Sequence, residues 1–329
     1  MSATLDTACS DRPNFHYRVF GLHIRSELSL PELTAADPVQ SAPDVAIRIG
    51  SVPNDEASAA RFSCVDGEVV FRFGGVARYR IRAGNEITVD PAPQSSSRRV
   101  RLFLLGSVLG ALCHQRGLLA LHANALVVDG RAIAFAGRSG AGKSTLIAHF
   151  HGRGYDVLAD DTCALSFDAQ GRPLAWPGVQ HFKLWRDAAE FFGHTCDPLA
   201  QVADGVDKYR LPVRPAAEGP FPLACIYVLG DDPERASSQF ERITGSRALD
   251  ALLTHTYRGQ YLRPMGLVQR HFAQSLAVLD RVPVYAGFRR RGFHALEQQA
   301  TEVERHFREA AGHELVAASQ RFSLESSWK

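Results

Sequence analysis

The N-terminal part of the chain alternates apolar and polar residues in short runs. Runs rich in Val, Ile, Phe, Tyr and Arg, broken by Gly, Pro and Asn, extend from Phe15 to about Asp90: FHYRVFGLHIRS, DVAIRIG, EVVFRF, ARYRIRAG and EITVD. Such runs are typical of antiparallel strands with one face in water. We therefore predict a small β-rich domain over residues 1–95, with PAPQSSSRR at residues 91–99 as the linker that follows it.

The pattern changes in the rest of the chain. RLFLLGSVLGALCHQRG is apolar all round at helical length, which indicates a buried helix. LALHANALVVDG and RAIAFAG predict two strands turned at Asp129-Gly130, followed by a glycine-rich loop, a helix over residues 143–152 and the strand YDVLADD.

Strand and helix patterns then alternate to the end of the chain. CALSFDAQGRPLAW predicts a hairpin, and ACIYVL and VPVYAGF predict single strands. The helical patterns are WRDAAEFFG, which closes at Gly193, then SRALDALLTHTY, PMGLVQRHFAQSLAVLDRV and FHALEQQATEVERHFREAAG. This alternation predicts an α/β nucleotide-binding domain over residues 96–329.

Composition excludes several classes of function. The net charge of +2 over 329 residues is too small for a general nucleic-acid-binding surface. No run approaches the roughly 18 apolar residues of a membrane helix, and the start MSATLDTACSDRPNF has no secretory pattern. The six cysteines form no CxxC pair. We therefore expect a cytoplasmic protein that binds neither nucleic acid nor a membrane.

A phosphate-binding loop is the strongest motif in the chain. The eight residues Gly137, Arg138, Ser139, Gly140, Ala141, Gly142, Lys143 and Ser144 match GxxxxGK[ST] without a gap, and Thr145 follows them; the motif lies between an apolar strand and a helix. Inward-facing N–H groups and the start of the helix favour bound phosphate. Lys143 is then expected to reach the β- and γ-phosphates of a nucleotide, and Ser144 to ligate Mg²⁺. The other interpretation is a glycine-rich turn with a chance lysine.

An acidic pair follows the loop. Asp160 and Asp161 end the strand YDVLADD about 17 residues beyond Lys143. Neighbouring side chains at a strand end point to opposite sides, so one can reach Mg²⁺ while the other accepts the proton of an incoming hydroxyl. The alternative is that both aspartates only cap a turn. The chain has no NKxD and no LSGGQ-like stretch, which argues against a guanine-specific switch protein and a transporter ATPase.

The segment from His122 to Asp161, with LHANALVV, GRSGAGKST and RGYDVLADD, resembles the HPr serine kinase/phosphorylase family. The resemblance implies an α/β, phosphoenolpyruvate-carboxykinase-like P-loop kinase core, which uses ATP and Mg²⁺ to phosphorylate a serine of a small protein. It also implies roles: phosphate binding for Lys143, Mg²⁺ for Ser144 and Asp160, and proton acceptance for Asp161. His122 matches the family's active-site histidine, although a lone histidine in a strand is otherwise a satisfied core residue. Members of the family form hexamers, so a homo-oligomer is also implied.

The resemblance changes at PGVQHFKLWRDAAEFFG. Val179, Gln180 and His181 stand where the bifunctional enzymes carry a glutamate, which argues against phosphorolysis of the product and against HPr as the substrate. The segments HFKLW, DKYRLPV and VPVY, and the start YRVFGLHIRSELSLPEL, are more similar to HPr-kinase-like proteins of ribosomal peptide pathways, including lasso peptide kinases. This resemblance implies that the acceptor is a serine of a precursor peptide, typically at its C-terminal end.

Lysine is rare in this chain. Among 37 basic residues only Lys143, Lys183, Lys208 and Lys329 are lysines. Because compact ammonium groups bind phosphate well, we predict that Lys183, Lys208 or the nearby Arg210 binds the transferred phosphate or an acceptor carboxylate. The other interpretation is surface lysines whose stems cover apolar groups. The run at residues 289–291, three arginines, either meets an acidic peptide or is a solvated charge run.

The leading hypothesis is an ATP- and Mg²⁺-dependent kinase that acts on a Ser or Thr hydroxyl of a peptide or small protein. Two alternatives stay open: a small-molecule hydroxyl kinase, and a regulator that binds nucleotide without transferring phosphate. The joint presence of Lys143, Ser144, Asp160 and Asp161 favours an enzyme.

Overall fold

The computed structural model describes residues 13–39, 41–53, 60–179, 181–197, 200–202, 205–213, 218–230, 240–288 and 292–309. They form a mixed α/β structure with several sheets. Contacts divide the chain into two compact units: Met1–Arg116 with Gln260–Leu267, and Gly117–Gly259 with Val268–Lys329. The helical segment after residue 95 falls in the first unit, where Phe103 stacks on Phe73 with ring centroids 4.0 Å apart.

The first unit contains eight strands in one mixed sheet. They are β1 (Phe15–Val19), β2 (Leu22–Ser26), β3 (Thr34–Ala35), β4 (Val45–Ile49), β5 (Phe62–Val65), β6 (Glu68–Phe73), β7 (Ala77–Arg82) and β8 (Glu86–Pro91), in the order β3-β1-β2-β4-β8-β7-β6-β5. The prediction of antiparallel strands is wrong for two pairs, since β2 pairs with β4 and β4 with β8 in parallel. In each parallel pair a long stretch of chain joins the two strands, which lets it cross over before pairing.

The predicted buried helix is confirmed, with one irregularity. It consists of α1 (Ser97–Phe103), a π-helical turn (Leu104–Val108) and α2 (Leu109–Gln115). The side chain of Ser96 accepts a hydrogen bond from the N–H of Arg99, so the helix begins inside the segment predicted as a linker.

The second unit contains the remaining elements. Its strands are β9 (Leu119–Leu121), β10 (Ala123–Val128), β11 (Arg131–Gly137), β12 (Asp156–Ala159), β13 (Cys163–Phe167), β14 (Pro173–Trp176), β15 (His181–Trp185), β16 (Lys208–Pro212), β17 (Phe221–Gly230), β18 (Glu241–Ile243) and β19 (Val284–Phe288). Its helices are α3 (Lys143–Gly152), α4 (Arg186–Phe191), α5 (Gly245–Thr254), α6 (Val268–Arg281) and α7, which covers residues 296–309. Two short 3₁₀ turns cover Gly259–Tyr261 and Phe293–Ala295.

Nine of these strands form one sheet, and β15 and β16 form a separate two-stranded antiparallel sheet. The main order is β12-β10-β11-β17-β14-β13-β9, with β19 beside β17 and β18 beside β19. Leu252 of α5 and Val278 of α6 pack in one core cluster, whereas Phe150 of α3 and Val303 of α7 pack in another. Apolar helix faces therefore pack in two separate cores around this sheet.

Two features of the sheet position the predicted site. The hairpin between β10 and β11 is confirmed, and both turn residues, Asp129 and Gly130, have positive φ. LALHANALVV was predicted as one strand but is divided at His122, whose N–H donates to the carbonyl of His255 at 2.7 Å. The chain therefore passes from β9, at the edge beside β13, to β10, which lies between β11 and β12 near the other end of the sheet order. None of the helices in the described ranges is long and apolar enough to cross a membrane.

Candidate functional site

The glycine-rich loop runs from the end of β11 to the start of α3. Gly140 and Gly142 have φ of 87° and 80°, a left-handed conformation that glycine adopts without steric cost. A Cβ atom on Gly137 would lie 2.8 Å from the carbonyl oxygen of Leu229 in β17. The glycines therefore let the loop turn tightly against a neighbouring strand.

Lys143 is folded back into this loop. Its Nζ donates to the carbonyl oxygens of Gly137 at 2.7 Å and Arg138 at 3.2 Å, and the side chain is buried. Burial lowers the pKa of the Lys143 ammonium, and the charges of Asp161 and Asp160 oppose that effect. A cation is thus held in the loop at the start of α3, and a helix N-terminus together with a cation is the chemistry of a phosphate site.

Asp160, at the end of β12, is fixed from three sides. Its Oδ1 accepts from the Ser144 hydroxyl at 3.0 Å and from Nδ2 of Asn124, and its Oδ2 accepts from the backbone N–H of Lys183 at 3.0 Å. Burial raises the pKa of Asp160, and the charge of Lys183 opposes the increase. The arrangement places a carboxylate oxygen directly beside the hydroxyl on the first turn of α3.

Asp161 has different partners, because its backbone turns away from the strand. Its φ of 74° is rare for a residue with a side chain and costs on the order of 1–3 kcal/mol. Oδ1 lies 3.3 Å from Nε2 of His122, and Oδ2 accepts from Nζ of Lys183 at 3.2 Å. Burial disfavours the charged form, but Lys183 and His122 together hold the pKa of Asp161 far below its usual range. Asp161 is therefore ionised at neutral pH.

His122 lies in the break between β9 and β10, beside two further titratable residues. Its ring meets the edge of Tyr257 with centroids 6.0 Å apart, and the N–H of Tyr257 donates to Ala120. Burial raises the pKa of the Tyr257 phenol. Burial, with the charge of Lys143, lowers the pKa of His255 to about 4. The loop is thus bordered by a histidine that stays neutral at neutral pH.

The two-stranded sheet of β15 and β16 carries two of the rare lysines, Lys183 and Lys208, on one face. In its register Lys183 stands opposite Arg210, and Trp185 stands opposite Lys208. Nζ of Lys208 lies 5.7 Å from the Trp185 ring centroid, and Arg210 donates to the carbonyl of Val202 at 2.9 Å. The alternate residues of the two strands, which include Phe182, Leu184 and Leu211, are buried in the core with α3.

These groups surround a single cleft of about 310 Å³. Its lining consists of His122, Asn124, Ser139, Gly140, Gly142, Lys143, Ser144, Thr145, Asp161, Lys183, Leu184, Trp185, Asp187, Ala188, Lys208, Gly292 and Phe293. Asp160 is buried behind Ser144, and Gly137 and Arg138 support Lys143 from behind. Ala141 belongs to the core. Among the predicted site residues in the described part of the chain, Ala141 and Arg210 therefore lie outside both the lining and its immediate support.

Sequence reasoning missed seven residues of this lining, among them Asn124 and Trp185. Asn124 is fully buried, donates to both Ser144 (3.3 Å) and Asp160, and its Oδ1 has no hydrogen-bond partner within the described residues. Its signal was a polar residue in the otherwise apolar strand ANALVV. Trp185 is 54% exposed at the end of β15, where a tryptophan gains little from burial. Gln180, which stands where a glutamate was expected, and the three arginines at 289–291 lie outside the described residues.

The donor set near the loop fits Mg²⁺. The Ser144 hydroxyl and the Asp160 carboxylate supply oxygen atoms, and Mg²⁺ is commonly held by one or two carboxylates together with phosphate oxygens and water. Across the described residues no group of three or more His, Cys, Asp or Glu could hold a metal alone. A metal held by Ser144 and Asp160 would take its remaining ligands from phosphate oxygens or water.

Comparison with known proteins gives a distant likeness to solved structures. No family model and no curated protein matches the chain. The solved structure of the Hpr(Ser) kinase/phosphatase from Coxiella burnetii is similar to it, with a TM-score of 0.33 and 16% identical residues. The similarity covers 62% of this chain and 97% of that chain. At a similarity this low, function is inferred from the geometry of the site and not from the comparison.

Proposed function

We propose that this protein is a kinase that transfers the γ-phosphate of ATP, with Mg²⁺, to a Ser or Thr hydroxyl of a peptide or small protein. The observation that carries the proposal is the division of the acidic pair. Asp160 contacts Ser144 at the start of α3, whereas Asp161 contacts His122 and Lys183 in the open cleft. This division supports a metal role for Asp160 and an acceptor role for Asp161.

The loop residues hold the phosphates. N–H groups at the start of α3 bind the α- and β-phosphates, and Lys143 exchanges the carbonyls of Gly137 and Arg138 for β- and γ-phosphate oxygens. Ser144 and Asp160 hold Mg²⁺, which when bound neutralises charge on the phosphate oxygens. Asn124 keeps both of these donors in place through its amide N–H groups.

Asp161 accepts the proton of the acceptor hydroxyl. As the hydroxyl oxygen attacks the γ-phosphorus, the bond from that phosphorus to the bridging oxygen breaks, and ADP leaves with the bonding electrons. The proton passes to the Asp161 carboxylate, which Lys183 and His122 keep ionised beforehand. When Lys183 turns to the transferred phosphate, Asp161 loses a neighbouring cation and becomes a stronger base.

The class of acceptor rests on the resemblance of the motifs. It favours a precursor peptide of a ribosomally made product, such as a lasso peptide with a C-terminal serine. Lys183 contacts Asp161 in the cleft and can bind either the transferred phosphate or the terminal carboxylate of such a peptide. A cytoplasmic location and self-association are proposals on the same basis.

Phosphate transfer by the purified full chain tests this function. With Mg-ATP and a peptide that ends in serine, we expect a product heavier by one phosphate, and none with alanine in that place. Asp161→Asn should lower the rate about 100-fold or more with ATP affinity retained, and Lys143→Ala should lose ATP affinity. Asp168→Asn, in an exposed turn of the same unit, is the control and should transfer normally.

Three results would contradict the proposal. Full activity in Asp161→Asn would remove the assigned base. Transfer to a small hydroxyl compound but to no peptide or protein would favour the small-molecule kinase. Tight ATP binding without transfer to any acceptor would favour the regulator.

A further inference from the structure

One end of the cleft is apolar, and the transfer of phosphate does not use it. Leu184, Trp185, Ala188 and Phe293 line this end. Trp185 is 54% exposed and carries Lys208 near its ring, 5.7 Å from the centroid. Phe293 is stacked on the exposed Phe191, with centroids 4.4 Å apart and an angle of 12° between the planes. Exposed aromatic rings beside a phosphate loop suit a flat, apolar part of a ligand.

The order of residues along β15 shows which end of the cleft lies at the acidic pair and which end lies at Trp185. The N–H of Lys183 is bonded to Asp160, which fixes the polar end of the strand at the acidic pair. Trp185 follows two residues later on the same face, roughly 6.6 Å further along. Ala188 comes next in α4, so the cleft runs from the acidic pair towards the apolar end.

The apolar end also adjoins the first turns of α3. Leu184 and Ala188 pack in one core cluster with Leu146 and Ile147 of that helix. Thr145, in the first turn, lines the same cleft. In a loop of this kind Lys143 and the metal donors hold the γ-phosphate side, while the backbone N–H groups hold the α- and β-phosphates. A nucleoside attached to the α-phosphate therefore lies on the side of the loop that is further from the acidic pair.

We propose that the apolar end binds the nucleoside of the nucleotide, with the base stacked on the exposed indole of Trp185. This inference rests on the proposed function only in requiring that the loop binds a nucleoside triphosphate. Stacking on an aromatic side chain needs no hydrogen bonds to the base edge, so one exposed tryptophan suffices for it. Asp187 lines the same end and offers a carboxylate to a ribose hydroxyl.

Binding of ATP, ADP and inorganic tripolyphosphate to the full chain separates the base from the phosphates. Trp185→Ala should weaken ATP and ADP about tenfold, with tripolyphosphate unchanged, because only the nucleosides reach the indole. Trp185→Phe keeps a ring and should retain most of the affinity. Lys143→Ala should weaken all three ligands. Phe272→Ala, an exposed aromatic on α6, is the matched control and should change none of them.

Tryptophan fluorescence provides a second measurement. The chain has three tryptophans, Trp176, Trp185 and Trp328. ADP should quench the wild-type emission while tripolyphosphate does not, and the response should disappear in Trp185→Phe. A response to ADP that persists in Trp185→Phe would overturn the inference.

The outcomes distinguish this inference from the proposed function. If Trp185→Ala binds ATP normally but raises KM for the acceptor peptide, the apolar end belongs to the acceptor and the inference is wrong, whereas the kinase stands. An equal loss of ATP and tripolyphosphate affinity in Trp185→Ala also overturns it. If the wild type binds neither ATP nor tripolyphosphate, the proposed function itself fails.

Discussion

At the scale of single residues, the site depends on two adjacent carboxylates with opposite environments. Burial beside Ser144 raises the pKa of Asp160, whereas Lys183 and His122 outweigh burial and lower that of Asp161. The difference follows the backbone, because Asp161, at positive φ, meets Nζ of Lys183 and His122, whereas Asp160 meets Ser144 and the backbone N–H of Lys183. Neighbouring aspartates can thus differ in pKa although both lie near the charge of Lys183.

Asn124 supports the first prediction. Asn124→Ala removes the donor that holds both Ser144 and Asp160, so the metal donors lose their fixed orientation. Because supporting hydrogen bonds of this kind typically contribute 10- to 100-fold to metal affinity, we expect the Mg²⁺ concentration for half-maximal transfer to rise about tenfold. A Mg²⁺ titration of the transfer rate measures it.

The control for Asn124 is Ser166→Ala. It removes one hydrogen bond, from Nε1 of Trp176, elsewhere in the same unit and should leave the Mg²⁺ requirement unchanged. An unaltered Mg²⁺ requirement in a folded Asn124→Ala protein would show that this amide does not position the metal donors.

His255 gives a prediction about pH. Its pKa is lowered from 6.5 to about 4 in the folded chain, so as pH falls below 6.5 the unfolded chain takes up the proton first. Stability should therefore decrease between pH 6.5 and 4, by up to ~3 kcal/mol from this residue. In thermal melts at pH 7.5 and 4.5, His255→Gln should lose less stability than the wild type. His194→Gln, an exposed histidine, should follow the wild type; equal acid sensitivity in all three would exclude His255 as a cause.

At the scale of elements, the loop and α3 could be predicted because their signal is local. Glycine spacing and the apolar pattern gave both the turn and the helix at 143–152, which is confirmed. The break at His122 could not be predicted, because it depends on a hydrogen bond to His255, over a hundred residues away in sequence. The pairing of β15 with β16 could not be predicted either, because residues 186–207 separate Trp185 from its partner Lys208.

Gly137 supports a prediction about the junction of β11 and the loop. In Gly137→Ala the new Cβ meets the Leu229 carbonyl at 2.8 Å, so β11 must shift against β17. Overpacking of this kind costs about 1–3 kcal/mol, and the displaced loop should lose ATP affinity. Thermal melts and ATP titrations measure the two effects.

Gly130→Ala is the matched control for Gly137. It also adds a methyl group at positive φ, but nothing lies within 4 Å of the new atom. We expect a cost of about 1–2 kcal/mol from backbone strain and unchanged ATP affinity. If both variants bind ATP like the wild type, the close packing of Gly137 against Leu229 of β17 is not needed for ATP binding.

At the scale of the whole molecule, the cleft belongs to one unit. Its residues come from segments near positions 122, 143, 161, 185, 208 and 293, all within Gly117–Gly259 and Val268–Lys329. Sequence patterns indicated a β-rich part and an α/β part, because alternation and periodicity are local. They could not give the parallel pairs β2–β4 and β4–β8 or the return of Gln260–Leu267 to the first unit, where Tyr261 stacks on Phe62. Those features depend on contacts between distant segments.

The division into units predicts where a nucleotide protects the chain. A ligand that binds only the folded second unit stabilises that unit by RT ln(1 + [L]/Kd), which is about 2.7 kcal/mol at 100 times Kd. Hydrogen exchange with saturating ATP should therefore slow up to about 100-fold in α3, β12 and β15, and remain unchanged in β1 to β8. Lys143→Ala should show no slowing anywhere. Equal protection of β1 to β8 would mean that the two units unfold as one, and protection confined to those strands would place the nucleotide outside the cleft.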